Sequence, residues 1–470
     1  MESSVGYIGQ LANAVGVGEP ALRLLLSIVF SFPLAIFHRE VIWPLPELQN
    51  HFFMICTGLG ICYFNYGLDL YHSLVAIVAT YAMIKIFGPT LRLRVASFVF
   101  HMGYLLCGYI FTESDTYDIK WTMPHCVMVL RLIGLCFDIC DTFGTHAKGE
   151  EPKEMDTYGI KKMPNLLQIA SYSYFPGSFL VGPQFPYRQY ERFIARDFDK
   201  HRGYITAGLR RFALGFFYLA VNQVLNIFAS DSYLLSEDYA NDGYFKRLIL
   251  MGAWGRMTLY KYMSIWLLSE GVCIRFGMTF RAVSKVEHPD EEDWSAGENV
   301  KVGRLERANK FTHYIESFNV ATNRWVARHI YKRLKFLGSK ELSQGATLLF
   351  LAIWHGFHSG YYVSFLMEFM IVYIERDFEL IVKGSERLRT ILEKPILQPV
   401  YYVLLKFYAI VGMGWCLTPF AFMNFSSYWI VLKSVHFFGY LFVLTYIPIH
   451  FILKALFPRD RSKTADKKSQ

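Results

Sequence analysis

Charge is what this chain is short of. Only 19% of its 470 residues are Asp, Glu, Lys or Arg, against 53% hydrophobic and 17% aromatic. A soluble protein of that length needs more charge to cover its surface, so a water-soluble multidomain enzyme is excluded. No CxxC pair occurs among the eight cysteines, at positions 56, 62, 107, 126, 136, 140, 273 and 416, and most lie in apolar runs. They read as small buried hydrophobes, not as a disulfide or metal frame. There is no HExxH and no carboxylate-rich cluster of ligand spacing, so no metal is expected. No GxSxG elbow or Cys–His signature stands out, which argues against a covalent acyl-enzyme. No fixed-period repeat and no pair of matching broken helices appears, which weakens a transporter reading. The first residues, MESSVGYIGQLANAVGVGEP, lack a basic region followed by a small-residue cleavage site and are not read as a cleavable signal peptide.

What the chain has is long apolar runs. Candidate membrane spans fall at about 21–37, 52–70, 73–88, 96–112, 121–140, 212–230, 248–276, 343–354, 359–380, 399–418 and 428–456. A crossing needs roughly 20 apolar residues, so several of these are short, tilted or re-entrant. The fold class is therefore all-α, a polytopic integral membrane protein with about eleven transmembrane or re-entrant helices. The polar stretches 143–165 and 285–310 are too short to be domains, so residues 1–470 are taken as a single membrane domain, with 455–470 a basic tail.

Charge sits between the runs. The basic stretches 185–212 and 382–395 and the basic tail are placed on the cytoplasmic side by the positive-inside rule, and the acidic stretch 229–243 on the other. Asn424-Phe425-Ser426 is then a luminal sequon. Lys467 and Lys468, in the ending KKSQ, resemble a dilysine retrieval signal of endoplasmic-reticulum membrane proteins. No nucleic acid is expected as a partner.

Two histidines interrupt an apolar run at LAIWHGFHSGYY, residues 351–362. Ionisable groups in the membrane are costly and face a cavity or a partner. On a continuous helix, His355, Ser359 and Tyr362 share one face, with His358 beside it. For His355 the residues leave open a buried imidazole bonded to a neighbouring helix, a metal ligand, a proton relay or a general base that takes a proton from an alcohol. Upstream, NKFTHYIESFNVATNRWVARHIYKRLKF, residues 309–336, is too polar to span. Its helical period gathers Arg324, Arg328, Tyr331, Lys332 and Lys335 into a basic stripe. Such a helix lies at a membrane interface. Arg131 and Asp138, seven apart in the span 121–140, are expected to pair.

Four stretches in this order carry a resemblance: YSYFPGSFLVGPQFPYRQYERF (172–193), MTLYKYMSIWLLSEG (257–271), SFNVATNRW (317–325) and WHGFHSGY (354–361). Together they resemble the membrane-bound O-acyltransferase family, and the last two spellings resemble its lysophospholipid acyltransferase branch. One departure is Phe318, where many relatives carry Trp before the Asn. The resemblance implies helices around a central tunnel, with an Asn and a His as the catalytic pair. Asn319 and His355, 36 positions apart, match them. It implies acyl-CoA as co-substrate with no bound cofactor, and a lysophospholipid such as lysophosphatidylcholine as acceptor. Other implied partners are membrane lipids. A sterol, diacylglycerol or protein is the alternative acceptor. Arg324, Trp325, Arg328, Tyr331, Lys332 and Lys335 are then candidates for the CoA phosphates and adenine, and Trp354, Ser359, Tyr362, Tyr260, Tyr262 and Trp266 for the tunnel lining.

Overall fold

A computed structural model of the chain describes residues 6–112, 114, 119–145, 155–283 and 292–459. The basic end with Lys467 and Lys468 lies outside the described residues, as do parts of the two polar stretches. The long helices are α1 (Glu19–Phe37), α2 (Glu47–Tyr66), α3 (Tyr71–Phe87), α4 (Leu91–Thr112), α5 (Thr122–Phe143), α6 (Tyr204–Asn226) and α7 (Tyr244–Phe276). Two short helices follow, α8 (Phe311–Ser317) and α9 (Val320–His329). The chain then forms α10 (Lys340–His355), α11 (Ser359–Gly384), α12 (Gln398–Phe422), α13 (Phe425–Ser434) and α14 (Phe438–Leu456).

Each apolar run expected to span falls on helix. Six helical stretches among the described residues are long and apolar enough to cross a membrane by length and composition. The final run, 428–456, is not one helix. His436 and Phe437 sit at φ 51° and 53°, a left-handed pair that ends α13 and redirects the chain into α14. Helices α5, α7 and α11 are not among the six, and each carries charged residues along its length. Helix α10 is shorter, at 16 residues, and opens on the polar Lys340, Glu341 and Gln344.

The described chain divides into two compact units, and the boundaries pass within α6 and α7. The first comprises Met1–Ala220, Tyr262–Val300 and Asn319–Leu334. Its centre is α5, where nearly every residue from Thr122 to Asp141 is buried. Small residues let neighbours approach: a Cβ on Gly134 would stand 2.7 Å from the Trp325 ring nitrogen. The Arg131–Asp138 ion pair does not form. Two helical turns separate the residues, and the fully buried guanidinium of Arg131 reaches instead to the end of the short helix Leu166–Ser173 and the turn that follows it. It donates to the carbonyls of Tyr172 (3.2 Å), Ser173 (3.1 Å) and Ser178 (3.2 Å), and to Ser178 Oγ (2.9 Å). Five fixed donors suit Arg to gathering several carbonyls at once. The Pro/Gly-rich stretch is thereby tied to α5.

The second unit comprises Val221–Lys261, Lys301–Phe318 and Lys335–Gln470. Here α11 and α12 run antiparallel, latched by Ser364 Oγ on the Cys416 carbonyl (2.6 Å) and Tyr408 Oη on Glu375 Oε1 (3.1 Å). Glycine sets the close approach at the start of α11. A Cβ on Gly360 would lie 2.0 Å from the Pro419 carbonyl, and the Gly360 N–H donates to the Met423 carbonyl at 3.0 Å.

Candidate active site

The polar segment 309–336 is not one helix. Helix α8 stops at Ser317, and Asn319 takes the left-handed conformation, φ 51° and ψ 40°, as the residue that precedes α9. That region costs most L-residues about 1–2 kcal/mol, and Asn is among the few that visit it readily. Its backbone neighbours are held from outside. The Val320 N–H donates to the Asn299 carbonyl (2.9 Å) and the Ala321 N–H to Asn299 Oδ1 (3.0 Å). Asn299 in turn hangs on Glu270 of α7, which accepts from the N–H groups of Asn299 (2.9 Å) and Val300 (3.0 Å) and pairs with Arg211 Nε at 2.7 Å. The Glu270 side chain is 2% exposed. The carboxamide of Asn319 plays no capping role, although Asn commonly caps a helix through its side chain.

His355 is the last residue of α10, and Gly356 at φ 126° breaks the helix there. Only glycine adopts that angle without strain. Helix α11 begins three residues later, so His355, Ser359 and Tyr362 do not share a helical face. Rings surround the half-buried imidazole instead: Trp354 at 4.6 Å, Phe420 at 4.9 Å, Tyr361 at 5.4 Å and Phe365 at 5.6 Å between centroids. Among the described residues, no side chain hydrogen-bonds or ion-pairs with its nitrogens. A neutral imidazole in that setting could accept a hydrogen bond from an incoming hydroxyl. His358 is the residue before α11, and its carbonyl accepts the Tyr361 N–H at 3.1 Å.

The basic stripe does not survive the fold. Helix α9 ends at His329 and the chain continues as a 3-10 turn over Tyr331–Leu337, which changes the angular period. Arg328 is no open phosphate site: it pairs with Asp138 (3.0 Å) and Asp141 (3.6 Å) and lies 3.5 Å over the Tyr158 ring. Arg94 and Arg333 reach the same Asp141 at 2.8 and 2.6 Å. Trp325 is buried against α5, and beside it burial and the charges of Arg328 and Arg333 hold His329 well below its ordinary pKa. Arg324, Lys332 and Lys335 are exposed, and Tyr331 is half-buried. Of the lining candidates, Trp354 stands beside His355, whereas Ser359 is exposed and meets Tyr428 Oη at 3.2 Å. Tyr362 is half-buried. Tyr260 is tied to Glu306 (3.1 Å) and Arg256 (3.2 Å), and Tyr262 packs on Trp266 at 6.1 Å.

The profile of MBOAT, the membrane-bound O-acyltransferase family, matches residues 106–418, a stretch that holds both Asn319 and His355. The chain belongs to that family. It is 43% identical to a Drosophila melanogaster protein named lysophospholipid acyltransferase 5, over 99% of this chain and 94% of the relative. A Homo sapiens protein of that name is 42% identical, over 96% and 93%, and a Caenorhabditis elegans one 31% identical, over 99% of each. This membrane-bound O-acyltransferase carries three site elements that its sequence does not announce. Glu270 stands in the stretch 257–271 that carries the resemblance, and an acid in an apolar run was the available signal. Asn299 and Phe420 gave none, since both depend on contacts across long sequence separations.

Proposed function

We propose that this membrane-bound O-acyltransferase moves a fatty acyl group from acyl-CoA to the free sn-2 hydroxyl of a lysophospholipid such as lysophosphatidylcholine, in phospholipid remodelling. The names of the full-length relatives support the acceptor class. The observation that carries the chemistry is His355 itself: a half-buried imidazole held by rings, with no hydrogen-bonding partner among the described residues.

In this reading His355 takes the proton from the acceptor hydroxyl as its oxygen attacks the thioester carbon. General-base assistance of this kind contributes ~10²–10⁴-fold. The C–S bond breaks, the ester remains on the lipid, and the departing thiolate recovers the proton from the imidazolium as free CoA thiol. No acyl-enzyme forms, because the thioester is already activated. Asn319 supplies an amide N–H to the developing oxyanion or orients the acceptor. Fixing its backbone in advance suits either role, since preorganised donors need no rearrangement during reaction. Exposed Arg324, Lys332 and Lys335 remain the candidates for the CoA phosphates, and no bound cofactor is needed. An endoplasmic reticulum membrane location with the basic segment 455–470 on the cytosolic side is part of this reading, supported by the distribution of basic residues along the chain.

The test is an acceptor screen. Purified protein receives one polyunsaturated acyl-CoA and a panel of lysophospholipids, a sterol and diacylglycerol, and products are read by mass spectrometry. Acylated phospholipid is the expected product. Transfer to the sterol or diacylglycerol alone would overturn the acceptor assignment.

A further inference from the structure

Helix α11 carries four acidic residues, and three have partners. Glu375 accepts from the Phe311 and Thr312 N–H groups and from Tyr408 Oη. Asp377 meets Tyr446 Oη (2.7 Å) and His450 Nδ1 (2.5 Å). Glu379 meets Lys310 (2.7 Å) and Lys383 (3.2 Å). Glu368 is half-buried and has no hydrogen bond or ion pair among the described residues. A carboxylate in that setting is costly unless a cation or a donor meets it, and such a group inside a membrane protein points to a ligand.

Its position says which ligand. Glu368 follows Phe365 by three residues and Tyr361 by seven, so the three share one face of α11. Phe365 and Tyr361 are the residues of α11 whose rings meet His355. The carboxylate therefore lies one helical turn, about 5 Å, beyond the ring that touches the imidazole. Opposite, α12 pairs with α11 through Phe420 on Tyr361 (5.1 Å) and Cys416 on Ser364 (2.6 Å). One turn further along, α12 presents Gly412. A Cβ there would make ordinary van der Waals contact with Phe311 and Ile371, at 3.8 and 3.9 Å, and glycine itself puts no side chain of α12 at that level of the helix pair. Negative charge and flanking rings are the combination that binds an ammonium or quaternary ammonium group.

We propose that Glu368 receives the cationic nitrogen of a zwitterionic lysophospholipid headgroup and so sets which acceptors His355 can serve. This rests on the lysophospholipid reading above. One ligand would then span the site, with its free hydroxyl at His355 and its cation a turn or two along α11.

The experiment compares two acceptors that share acyl chain and free hydroxyl. Lysophosphatidylcholine carries the cation and lysophosphatidylglycerol does not. Glu368→Gln keeps the shape and removes the charge, and Glu368→Asp keeps the charge. The ratio of kcat/KM for the choline over the glycerol acceptor should fall about tenfold to a hundredfold in Glu368→Gln, mostly through KM, the size expected for losing a charged contact. Glu368→Asp should retain most of the ratio. An unchanged ratio in Glu368→Gln, whether activity holds or drops for both acceptors alike, would overturn the inference and leave the general reading intact. Wild-type protein that acylates neither lipid would overturn that reading, and this inference with it.

Discussion

The backbone beside Asn319 hangs from a relay of hydrogen bonds, whereas the ring of His355 is held by other rings. In the first region a buried acid, Glu270, spends its oxygens on Arg211 and two loop amides, and Asn299 carries the restraint to the start of α9. In the second, four aromatic side chains position an imidazole that none of them hydrogen-bonds. The difference matches what the proposed mechanism asks of each group. An amide donor needs its backbone fixed, since the peptide sets where the carboxamide starts. A general base needs orientation without a competing bond to the nitrogen that must accept a proton.

The contrast can be broken from either side. The largest effect is expected at Asn319 itself. Asn319→Gly keeps the left-handed backbone and removes the amide, and turnover should fall roughly 10²–10³-fold, as for loss of one oxyanion donor. Asn319→Ala should lose as much turnover and melt lower, because Ala bears the left-handed strain of about 1–2 kcal/mol. Equal turnover in Asn319→Gly and wild type would show that the residue serves the backbone only. Next comes the relay. Asn299→Ala strands the Ala321 N–H and should lower stability by about 1–3 kcal/mol. In protein that remains folded, kcat should fall more than KM rises; a pure loss of melting temperature with full kcat would mean that the relay does not position Asn319. The smallest effect is expected in the ring cage. Phe420→Leu keeps bulk and removes one edge contact worth about 0.5–1.5 kcal/mol, so kcat should drop only severalfold. A loss as large as that at Asn319 would mean that Phe420 does more than orient the imidazole.

How much of this could be read in the sequence varied with the range of the interaction. The helices were legible because apolar runs are local, and each expected span falls on helix. The breaks were less so. Gly356 hinted at the stop after His355, yet the face proposed for His355, Ser359 and Tyr362 assumed that the helix continued. Asn319 as a left-handed residue has no local signature beyond being Asn. The basic stripe failed for two reasons. A 3-10 turn after Ile330 altered the period, and Asp138 and Asp141, almost two hundred positions upstream of Arg328, claimed its charge. Arg131 was given a local partner when a helix end and the turn after it, some forty positions on, offered four acceptors. Polar side chains in an apolar interior take whatever partner folding delivers, and spacing along one helix says little about that.

His355→Ala, assayed as purified protein with acyl-CoA and lysophosphatidylcholine, tests the central claim most directly. Turnover should fall by at least about 10²-fold, the low end for general-base assistance, while melting temperature and size-exclusion profile stay near wild type. A folded His355→Ala protein that still forms phosphatidylcholine at near the wild-type rate would contradict the account.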